Sequence, residues 1–555
     1  MEPTPSQQEA RDYRGLSLLI VAPAGCGKTE ALAMRVQGLL ERRDVQTPRR
    51  ILAVTFTNRS RDNMRDRLRS HVPQRDMFRL VTFVNFHGLA TRIFQAHANV
   101  IGLSPDMTMP ETDWVRDQCK ARNLGFKKSD TVQKLLQSLK LQPLTDAEID
   151  DKLEENGNLY ALEIERQRLA EERLTYDDLL RLAELILAND KVAQLYRDHF
   201  GAVIVDEFQD LTPQQLRIIN RIGYGKTTYA GDLAQGIYSF AGARPNEIYQ
   251  QIQAECPKTI EFSESYRSSP AVLAAVNSLN SLTGGKTLTP AQPESWPDDG
   301  FAGGIEFSND HQEADWLLEQ CQRILNGSPN KRIGIATRSK LRRKVIDSVF
   351  EASGIAPYRW DDPLVDTDTA DRMRMMLNHL SLAEFYVAPD KQQWLAQLAQ
   401  IELIQDPKDR SNLLEAINWC TDLLRQGKGP EEISKRITIG DDSTLLTKPG
   451  VHLITGHIGK GQQFDWMIVA GLEEETLPDW RSVDEEQVAE EARILSVMLS
   501  RARYGVLITY CKELSTRRGV TKKGSRFLEQ LETANLRTGK DAVEWFSNMK
   551  EHKDT

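Results

Sequence analysis

Short runs of Val, Ile and Leu, each followed by a turn and a helical pattern, most constrain the fold of this 555-residue chain. Such runs are typical of strands buried on both faces of a parallel α/β sheet. Six lie in the first half, at residues 16–22, 51–56, 80–84, 202–205, 227–230 and 259–262. Four lie in the second half, at residues 333–337, 451–455, 466–470 and 506–510. The sequence therefore predicts two doubly wound α/β lobes.

Two segments with helical periodicity and no strand pattern interrupt these lobes. We predict a first lobe, 1A, over residues 1–88 and 200–263, with a helical insertion, 1B, over residues 89–199. The second lobe, 2A, is predicted over residues 264–370 and 446–535, with a smaller helical insertion, 2B, over residues 371–445. Residues 536–555 form a predicted C-terminal tail, and the Gly- and Pro-rich stretch 284–304 is interpreted as a surface connection.

Composition excludes several classes of protein. Lys and Arg total 71 against 80 Asp and Glu, so a site for a polyanion must be a local patch. The six cysteines are scattered without a CxxC pair, which predicts reduced thiols and no zinc or iron–sulfur site. No run approaches the roughly 18 apolar residues of a membrane helix, and the N-terminus has no signal-peptide pattern. We expect a soluble, cytoplasmic protein without a membrane partner.

The apolar run 16–22 leads into the sequence APAGCGKT, which ends at the start of a helical pattern. A strand, a tight turn and a helix N-terminus in this order wrap backbone N–H groups around phosphates. Lys28 is predicted to reach the β- and γ-phosphate oxygens of ATP and Thr29 to hold Mg²⁺. The residues predicted to bind the nucleotide here are Ala22, Pro23, Ala24, Gly25, Cys26, Gly27, Lys28 and Thr29.

A second motif, VDEFQD, follows the apolar run 202–205 and supplies two adjacent carboxylates. A phosphate loop needs one carboxylate on the metal side and a second to polarise the attacking water. We assign these roles to Asp206 and Glu207. Adjacent acids are also common at a solvated strand end, but the presence of Lys28 on another predicted strand favours the catalytic interpretation.

Further motifs follow one another along most of the chain. They are VTFTN at 54–58, FHGLA at 86–90, LTYDDLL at 174–180, GDLAQGIYSFAGA at 231–243, SYRSS at 265–269, HIGKGQQFDWMIVAGLEEE at 457–475 and LSRAR at 499–503. With APAGCGKT and VDEFQD, they resemble the UvrD/PcrA/Rep-like branch of superfamily 1 DNA helicases. The resemblance implies two RecA-like lobes, each with a helical insertion.

The resemblance also implies site residues beyond the phosphate loop. Around the nucleotide these are Gln7 and Tyr266 at the adenine, and Gly461 and Gln463 near the sugar. Gln235 would sense the γ-phosphate, and Arg267 and Arg501 would stabilise transition-state charge from the second lobe. The positions that match single-stranded DNA contacts are Phe56, Thr57, Asn58, His87 and Phe240.

Two departures from the family pattern concern the base and the sugar. Glu30 stands where relatives usually have an arginine beside the adenine, and Gln463 stands where they usually have a glutamate near the ribose. The hypothesis that follows is a weaker discrimination of base and sugar than is usual.

Three local groups of basic residues suit a nucleic-acid backbone despite the net charge of −9. Each group is also compatible with a solvated helix face or loop. The groups are Arg59, Arg61, Arg65, Arg67 and Arg69; Arg338, Lys340, Arg342, Arg343 and Lys344; and Arg517, Arg518, Lys522, Lys523 and Arg526.

The leading interpretation is an ATP-dependent translocase on single-stranded DNA and a 3′–5′ helicase that acts at single-strand/duplex junctions. Its expected setting is DNA repair, DNA processing or antiphage defence. The alternative is a regulatory ATPase subunit that senses DNA and assists a separate nuclease partner, since the compact layout is similar to the helicase subunit of the Gabija antiphage system. A helicase directed to RNA fits the motifs less well.

Overall fold

The computed structural model describes residues 3–110, 114–404, 407–439, 444–457, 460, 462–515 and 520–548. The chain divides into two compact units. The first unit contains Met1–Arg267 and Thr283–Ala291, and the second contains Ser268–Leu282 and Gln292–Thr555. Among the described helices, none has the length and apolar character that a membrane crossing needs.

The first unit is built on a parallel sheet of six strands, of which the four central ones are almost entirely buried. The strands are β1 (Leu18–Val21), β2 (Arg50–Thr55), β3 (Val81–Asn85), β4 (Phe200–Asp206), β5 (Thr227–Gly231) and β6 (Thr259–Glu261). Their spatial order is β3-β2-β4-β5-β1-β6. Each predicted run in the first half overlaps one of these strands, which confirms the predicted fold class for this unit. Strands β4, β5 and β1 are parallel neighbours, so the loops that follow them lie at the same edge of the sheet.

Helices cover the sheet and form the segment between β3 and β4. The α-helices of the unit are Pro5–Asp12, Lys28–Glu41, Asn58–Arg69, Gln74–Leu80, Phe86–His97, Trp114–Ala121, Phe126–Lys140, Asp146–Asn156, Leu159–Ala170, Tyr176–Leu187, Asp190–His199, Pro213–Gly223 and Pro245–Glu255. Helices Phe86–His97 and Tyr176–Leu187 share the core of the sheet. A separate apolar cluster joins residues between Trp114 and Ile164. The part of the predicted 1B segment with its own core is therefore shorter than residues 89–199.

After β6, a short parallel pair joins β7 (Glu264–Ser265) to β8 (Thr289–Pro290). The backbone N–H of Tyr266 donates to the carbonyl oxygen of Gly25 at 3.1 Å and so ties this segment to the first unit. Arg267 consequently belongs to the first unit, whereas the sequence analysis assigned it to the second lobe. The difference arises because the predicted boundary followed the motif order and took no account of this pairing.

The second unit contains a sheet of eight strands, of which seven are parallel. The strands of the unit are β9 (Phe301–Asn309), β10 (Arg332–Thr337), β11 (Tyr358–Arg359), β12 (Leu364–Val365), β13 (Thr438–Ile439), β14 (Gly450–Thr455), β15 (Phe464–Ala470), β16 (Ala502–Leu514), β17 (Val520–Thr521) and β18 (Arg537–Thr538). The parallel order is β11-β14-β10-β15-β16-β9-β18, with β17 antiparallel to β16 and β12 paired separately with β13. The four predicted runs form β10, β14, β15 and β16, which confirms the fold class here too.

Strand β9 corrects one sequence-based interpretation. The stretch 284–304 was interpreted as a surface connection, but Phe301–Gly304 begins a strand that is buried between β16 and β18. A Cβ atom on Gly303 would lie 3.1 Å from the carbonyl oxygen of Arg537, so the small residue admits the neighbouring strand. At Gly303, a residue that suggested a loop instead leaves room for the Phe301 ring and for the neighbouring backbone.

The helices of the second unit again fall into two groups. The α-helices are Pro270–Asn277, Asn280–Thr283, Asp310–Gly327, Lys340–Ala352, Thr367–Asn378, Leu382–Val387, Lys391–Leu398, Pro407–Arg425, Pro430–Arg436, Thr444–Thr447, Glu485–Leu499, Leu528–Glu532 and Gly539–Asn548. One apolar cluster joins the sheet to its covering helices. Another runs from Val365 to Ile437 and overlaps the predicted insertion 371–445, beginning a few residues before it.

Candidate nucleotide site

The phosphate loop connects β1 to helix Lys28–Glu41. Gly25 and Gly27 have φ values of +85° and +81°, a region that residues with a Cβ atom rarely adopt. A Cβ atom would lie 2.6 Å from Cβ of Arg267 at Gly25 and 2.5 Å from Nε2 of Gln7 at Gly27. Gly25 is therefore required by conformation and by space, whereas Gly27 is required by its positive φ, because the flexible Gln7 side chain can move aside. The loop delivers the unpaired N–H groups of a helix N-terminus to the edge of the sheet, where anions bind.

Lys28 lies between the two carboxylates predicted from VDEFQD. Its Nζ atom is 2.5 Å from Oε2 of Glu207 and 3.5 Å from Oδ1 of Asp206, and all three side chains are largely shielded from solvent. Burial opposes the charge of Lys28, but attraction to Glu207 and Asp206 outweighs it, so its pKa lies above the ordinary value. Burial raises the pKa of Asp206 to about 6, with Lys28 opposing the rise and Glu207 adding to it. The structure thus brings together a cation and two acids from distant positions in the sequence.

Glu207 is held in an unusual conformation just beyond β4. Its φ and ψ are 58° and 51°, in the left-handed region, and its N–H donates to Oδ1 of Asp206 at 3.0 Å. A non-glycine residue in this region carries strain that is typical of functional sites. The amide of Gln209, which is fully buried, donates to Oε2 of Glu207 at 2.6 Å. Conformation and hydrogen bonding together fix the direction of the Glu207 carboxylate.

Gln209 also connects Glu207 to the segment that follows β5. Its Oε1 atom accepts the N–H of Asp232 at 3.0 Å, and Asp232 accepts a hydrogen bond from Nε2 of Gln235 at 2.9 Å. Burial raises the pKa of Asp232. Gln209 and Asp232 were not among the predicted site residues, although both lie inside the quoted motifs. No local signal in VDEFQD or GDLAQG indicates that these two side chains meet.

The remaining predicted nucleotide residues of the first unit lie around the loop. Nε2 of Gln7 donates to the carbonyl oxygen of Gly27 at 3.4 Å, and its Oε1 caps helix Pro5–Asp12. Tyr266 is half-buried, with its hydroxyl 3.3 Å from Oε2 of Glu264. Burial lowers the pKa of Arg267. Burial raises the pKa of the Cys26 thiol to about 12, so this loop cysteine is a neutral packing residue.

Two predicted residues lie in the second unit, and one falls outside the described residues. Arg501 is buried, and its Nη2 donates to the carbonyl oxygen of Gly456 at 3.0 Å. Gln463 is half-buried, and its backbone oxygen accepts a hydrogen bond from Nη1 of Arg332 at 2.5 Å. Gly461 lies outside the described residues. The assignment of these three positions to the nucleotide remains a prediction.

The residues predicted to contact a strand include an aromatic group on the first unit. The rings of Phe56 and Tyr238 stack at 5.9 Å, and Tyr238 lies 5.8 Å from Phe240, which is 68% exposed. An exposure this large argues against a role of Phe240 in the core. Tyr238 was missed by sequence reasoning because it is an ordinary strand-end or core residue by pattern.

The other predicted strand contacts lie at helix starts. The hydroxyl of Thr57 accepts the N–H of Ser60 at 3.0 Å and caps helix Asn58–Arg69. The ring of His87 meets Tyr176 edge-on at 5.5 Å, and burial lowers the pKa of His87. For Asn58 only the backbone is described. Tyr176, from LTYDDLL, is a further exposed aromatic side chain beside a predicted contact.

The three basic groups differ in their burial and in their ion pairs. Arg342 and Arg343 are buried, and Arg342 is held by Glu313 and Glu473, each at 2.7 Å. The interpretation of this second group as a surface patch is therefore wrong for these two residues. On helix Asn58–Arg69 the side chains of Arg61, Arg65, Arg67 and Arg69 each face an acidic partner. Arg517 and Arg518 lie outside the described residues.

The arrangement suits a triphosphate with a divalent cation. The carboxylates of Asp206 and Glu207 already surround a positive group, the Lys28 ammonium. Carboxylate and hydroxyl oxygens are the ligands that Mg²⁺ prefers, and Thr29 stands next to Lys28 in the first turn of the helix. Thr29 and Asp206 are thus the residues suited to hold Mg²⁺, and the loop N–H groups with Lys28 are suited to hold phosphate oxygens.

Comparison with known proteins places these residues in a family context. Residues 3–257 match the model of the UvrD/REP helicase N-terminal domain, and residues 368–513 match that of the UvrD-like helicase C-terminal domain. The ATP-dependent DNA helicase UvrD1 of Mycobacterium tuberculosis is 30% identical over 388 residues, which cover 64% of this chain and 49% of that protein. The ATP-dependent DNA helicase PcrA of Staphylococcus aureus is 24% identical over 634 residues, which cover 95% of this chain and 85% of that protein. The matched region thus spans about half the length of the UvrD1 relatives.

Proposed function

We propose, from the premise that this chain belongs to the UvrD/REP helicase family, that it is an ATP-dependent motor on single-stranded DNA that separates duplex ahead of it. The names of the UvrD1 and PcrA relatives, both ATP-dependent DNA helicases, support the proposal. A 3′–5′ polarity and a role in DNA repair, DNA processing or antiphage defence belong to the same proposal. These two features rest on the family resemblance alone.

The observation that carries the proposal is the contact of Lys28 with Asp206 and Glu207 at the phosphate loop. In this assignment Lys28 binds the β- and γ-phosphate oxygens, and Thr29 and Asp206 hold Mg²⁺, which neutralises phosphate charge when bound. Glu207 polarises the attacking water, and Gln209 keeps the Glu207 carboxylate in the direction that this task needs. Burial strengthens each of these electrostatic interactions because little water competes for the charges.

The aromatic group supports a single strand as the polymer that stimulates the ATPase. Stacking on Phe56, Tyr238 and Phe240 is available to every nucleobase, so it tolerates any sequence. Two of these rings, Tyr238 and Phe240, follow Asp232 in the chain by only a few residues. A bound strand would therefore contact the segment whose hydrogen bonds reach Glu207 through Gln209.

The decisive experiment is steady-state ATP hydrolysis by the wild type and the Lys28→Ala variant, with no nucleic acid, single-stranded DNA, duplex DNA or RNA. Lys191→Ala, which removes an exposed lysine, is the matched control. We expect strong stimulation by single-stranded DNA that Lys28→Ala abolishes and Lys191→Ala retains.

Other outcomes would point to the other interpretations. Slow ATP hydrolysis that DNA does not stimulate would contradict the proposed motor activity. It would favour a regulatory subunit that works beside a nuclease. Preferential stimulation by RNA would contradict the choice of DNA. If stimulation by DNA is seen, strand displacement on duplexes with a 3′ or a 5′ single-stranded tail tests polarity, and unwinding from the 5′ tail alone would refute the 3′–5′ assignment.

A further inference from the structure

Glu30 introduces a negative charge at a place where the proposed function requires an anion to bind. It lies in the first turn of helix Lys28–Glu41, directly after Thr29. A carboxylate at a helix N-terminus is favourable for the helix itself. It nevertheless repels a triphosphate that binds the same N-terminus. A chain with glutamate here therefore needs a means of neutralising it.

The structure supplies two cationic or donor groups for this carboxylate. Nε2 of His71 lies 2.6 Å from Oε1 of Glu30, and Nε of Arg67 lies 3.3 Å from Oε2. Because an ionised carboxylate only accepts hydrogen bonds, Nε2 of His71 carries the hydrogen in this contact. Both partners lie at the C-terminal end of helix Asn58–Arg69 or just beyond it.

Arg67 acts on the second carboxylate oxygen of Glu30 through its charge and not through a hydrogen bond. Oε2 of Glu30 is buried and accepts no hydrogen bond from the described residues, so its interaction with Arg67 is an ion pair at 3.3 Å. The Glu30 side chain is 28% exposed and that of His71 18%, whereas the Arg67 side chain is 57% exposed. Solvent therefore screens the charge of Arg67 in part, and its effect on the site is modest and sensitive to salt.

We infer that Arg67 balances the charge of Glu30, that His71 holds its other carboxylate oxygen through a hydrogen bond, and that both thereby act as positioning residues for the phosphate site, an inference that rests on the proposed ATP site. Arg67 and His71 do not touch the phosphates in this account. They reduce the electrostatic repulsion between the Glu30 carboxylate and the phosphates. The ligand whose binding they favour is a nucleotide with a highly charged phosphate chain, so the effect is larger for a triphosphate than for a diphosphate.

The test is equilibrium titration of the full chain with fluorescent ATP and ADP analogues at low and high salt. Arg67→Gln should raise Kd for the ATP analogue about twofold to fivefold, with a smaller rise for the ADP analogue and a smaller rise at high salt. Arg69→Gln is the matched control, because Arg69 lies on the same helix and pairs with Asp66. We expect Arg69→Gln to bind both analogues like the wild type.

The double variant Glu30→Gln/Arg67→Gln separates the inferred role from a direct contact. If Arg67 acts through Glu30, the double variant should bind the ATP analogue as tightly as Glu30→Gln alone. His71→Ala should weaken binding in the same direction as Arg67→Gln and should likewise be relieved by Glu30→Gln. Thermal unfolding monitored by circular dichroism verifies that every variant is folded.

Several outcomes would overturn the inference while leaving the proposed function intact. One is equal binding by Arg67→Gln, Arg69→Gln and the wild type. Another is a loss in Arg67→Gln that persists when Glu30 is also replaced, since Arg67 would then act on the ligand directly. A wild-type chain that binds neither analogue would instead overturn the proposed ATP site and the inference with it.

Discussion

Replacement of Asp206 by asparagine is predicted to abolish hydrolysis and yet to stabilise the first unit at neutral pH. Burial raises the pKa of Asp206 from its ordinary value of 3.8 to about 6, against the attraction of Lys28. Each pH unit between the folded and unfolded pKa corresponds to about 1.4 kcal/mol. Ionised Asp206 therefore costs the folded state on the order of 3 kcal/mol above pH 6. The neutral amide of the variant would remove that cost and lose the carboxylate assigned to Mg²⁺.

The sign of the pH dependence follows from proton binding. The folded chain holds the Asp206 proton more tightly than the unfolded chain, so this residue destabilises the fold as pH rises. The cost is absent below about pH 4, develops between about pH 4 and 6, and is complete above that range. The difference in unfolding free energy between Asp206→Asn and wild type should follow the same course.

The assay is urea unfolding by circular dichroism between about pH 4 and 7.5, with hydrogen exchange of peptides from β4 to assign the change to the first unit. Asp106→Asn, at an exposed aspartate of the same unit, is the control and should show no such course. A stability difference for Asp206→Asn that stays constant across this pH range, or that falls as pH rises, would refute the reasoning. Retained ATP hydrolysis in this variant would refute the catalytic assignment independently.

Three further predictions concern the same unit. Phe240→Ala should weaken binding of single-stranded oligonucleotides by about 1–3 kcal/mol in a fluorescence anisotropy titration, and unchanged affinity would argue against stacking there. Gln209→Leu should lower kcat about tenfold to hundredfold with little change in KM, because the Glu207 carboxylate loses its orienting donor; a change confined to KM would contradict this role. Gly27→Ala should destabilise the loop by about 1–3 kcal/mol and weaken nucleotide binding, because φ is +81° and the added Cβ atom would displace the Gln7 side chain. A melting temperature and a Kd equal to those of the wild type would disprove this requirement.

Much of the fold could be predicted because a strand buried on both faces leaves a continuous apolar run in the sequence. All ten predicted runs became strands of the two large sheets. Strand β9 was missed because its first residues, FAGG, carry the composition of a loop. Short edge strands such as β11 and β18 have two residues each, which is too little for any periodicity.

The position of the loop after β1 and of the two carboxylates could also be predicted, since each motif consists of contiguous residues. Gly25, Gly27, Lys28 and Thr29 lie within one turn of chain, and Asp206 and Glu207 are adjacent. Gln209 and Asp232 were not predicted, because their roles depend on a contact between two loops that follow neighbouring strands. The roles of Gln7, Gln235, Arg267 and Arg501 toward the nucleotide rest on the resemblance and stay predictions.

The sequence by itself determined which segments become buried strands and where the predicted phosphate loop and its two acids lie. These features depend on residues that are adjacent in the chain. Only the tertiary structure decided which charged side chains are buried or paired with one another. Arg342 and Arg343 are buried in ion pairs, and the partly buried Glu30 is paired with His71 and with the exposed Arg67, whereas nothing in the sequence distinguishes these pairings from an ordinary charged surface. The physical reason is that burial and pairing depend on distances between residues far apart in the chain, which packing alone sets.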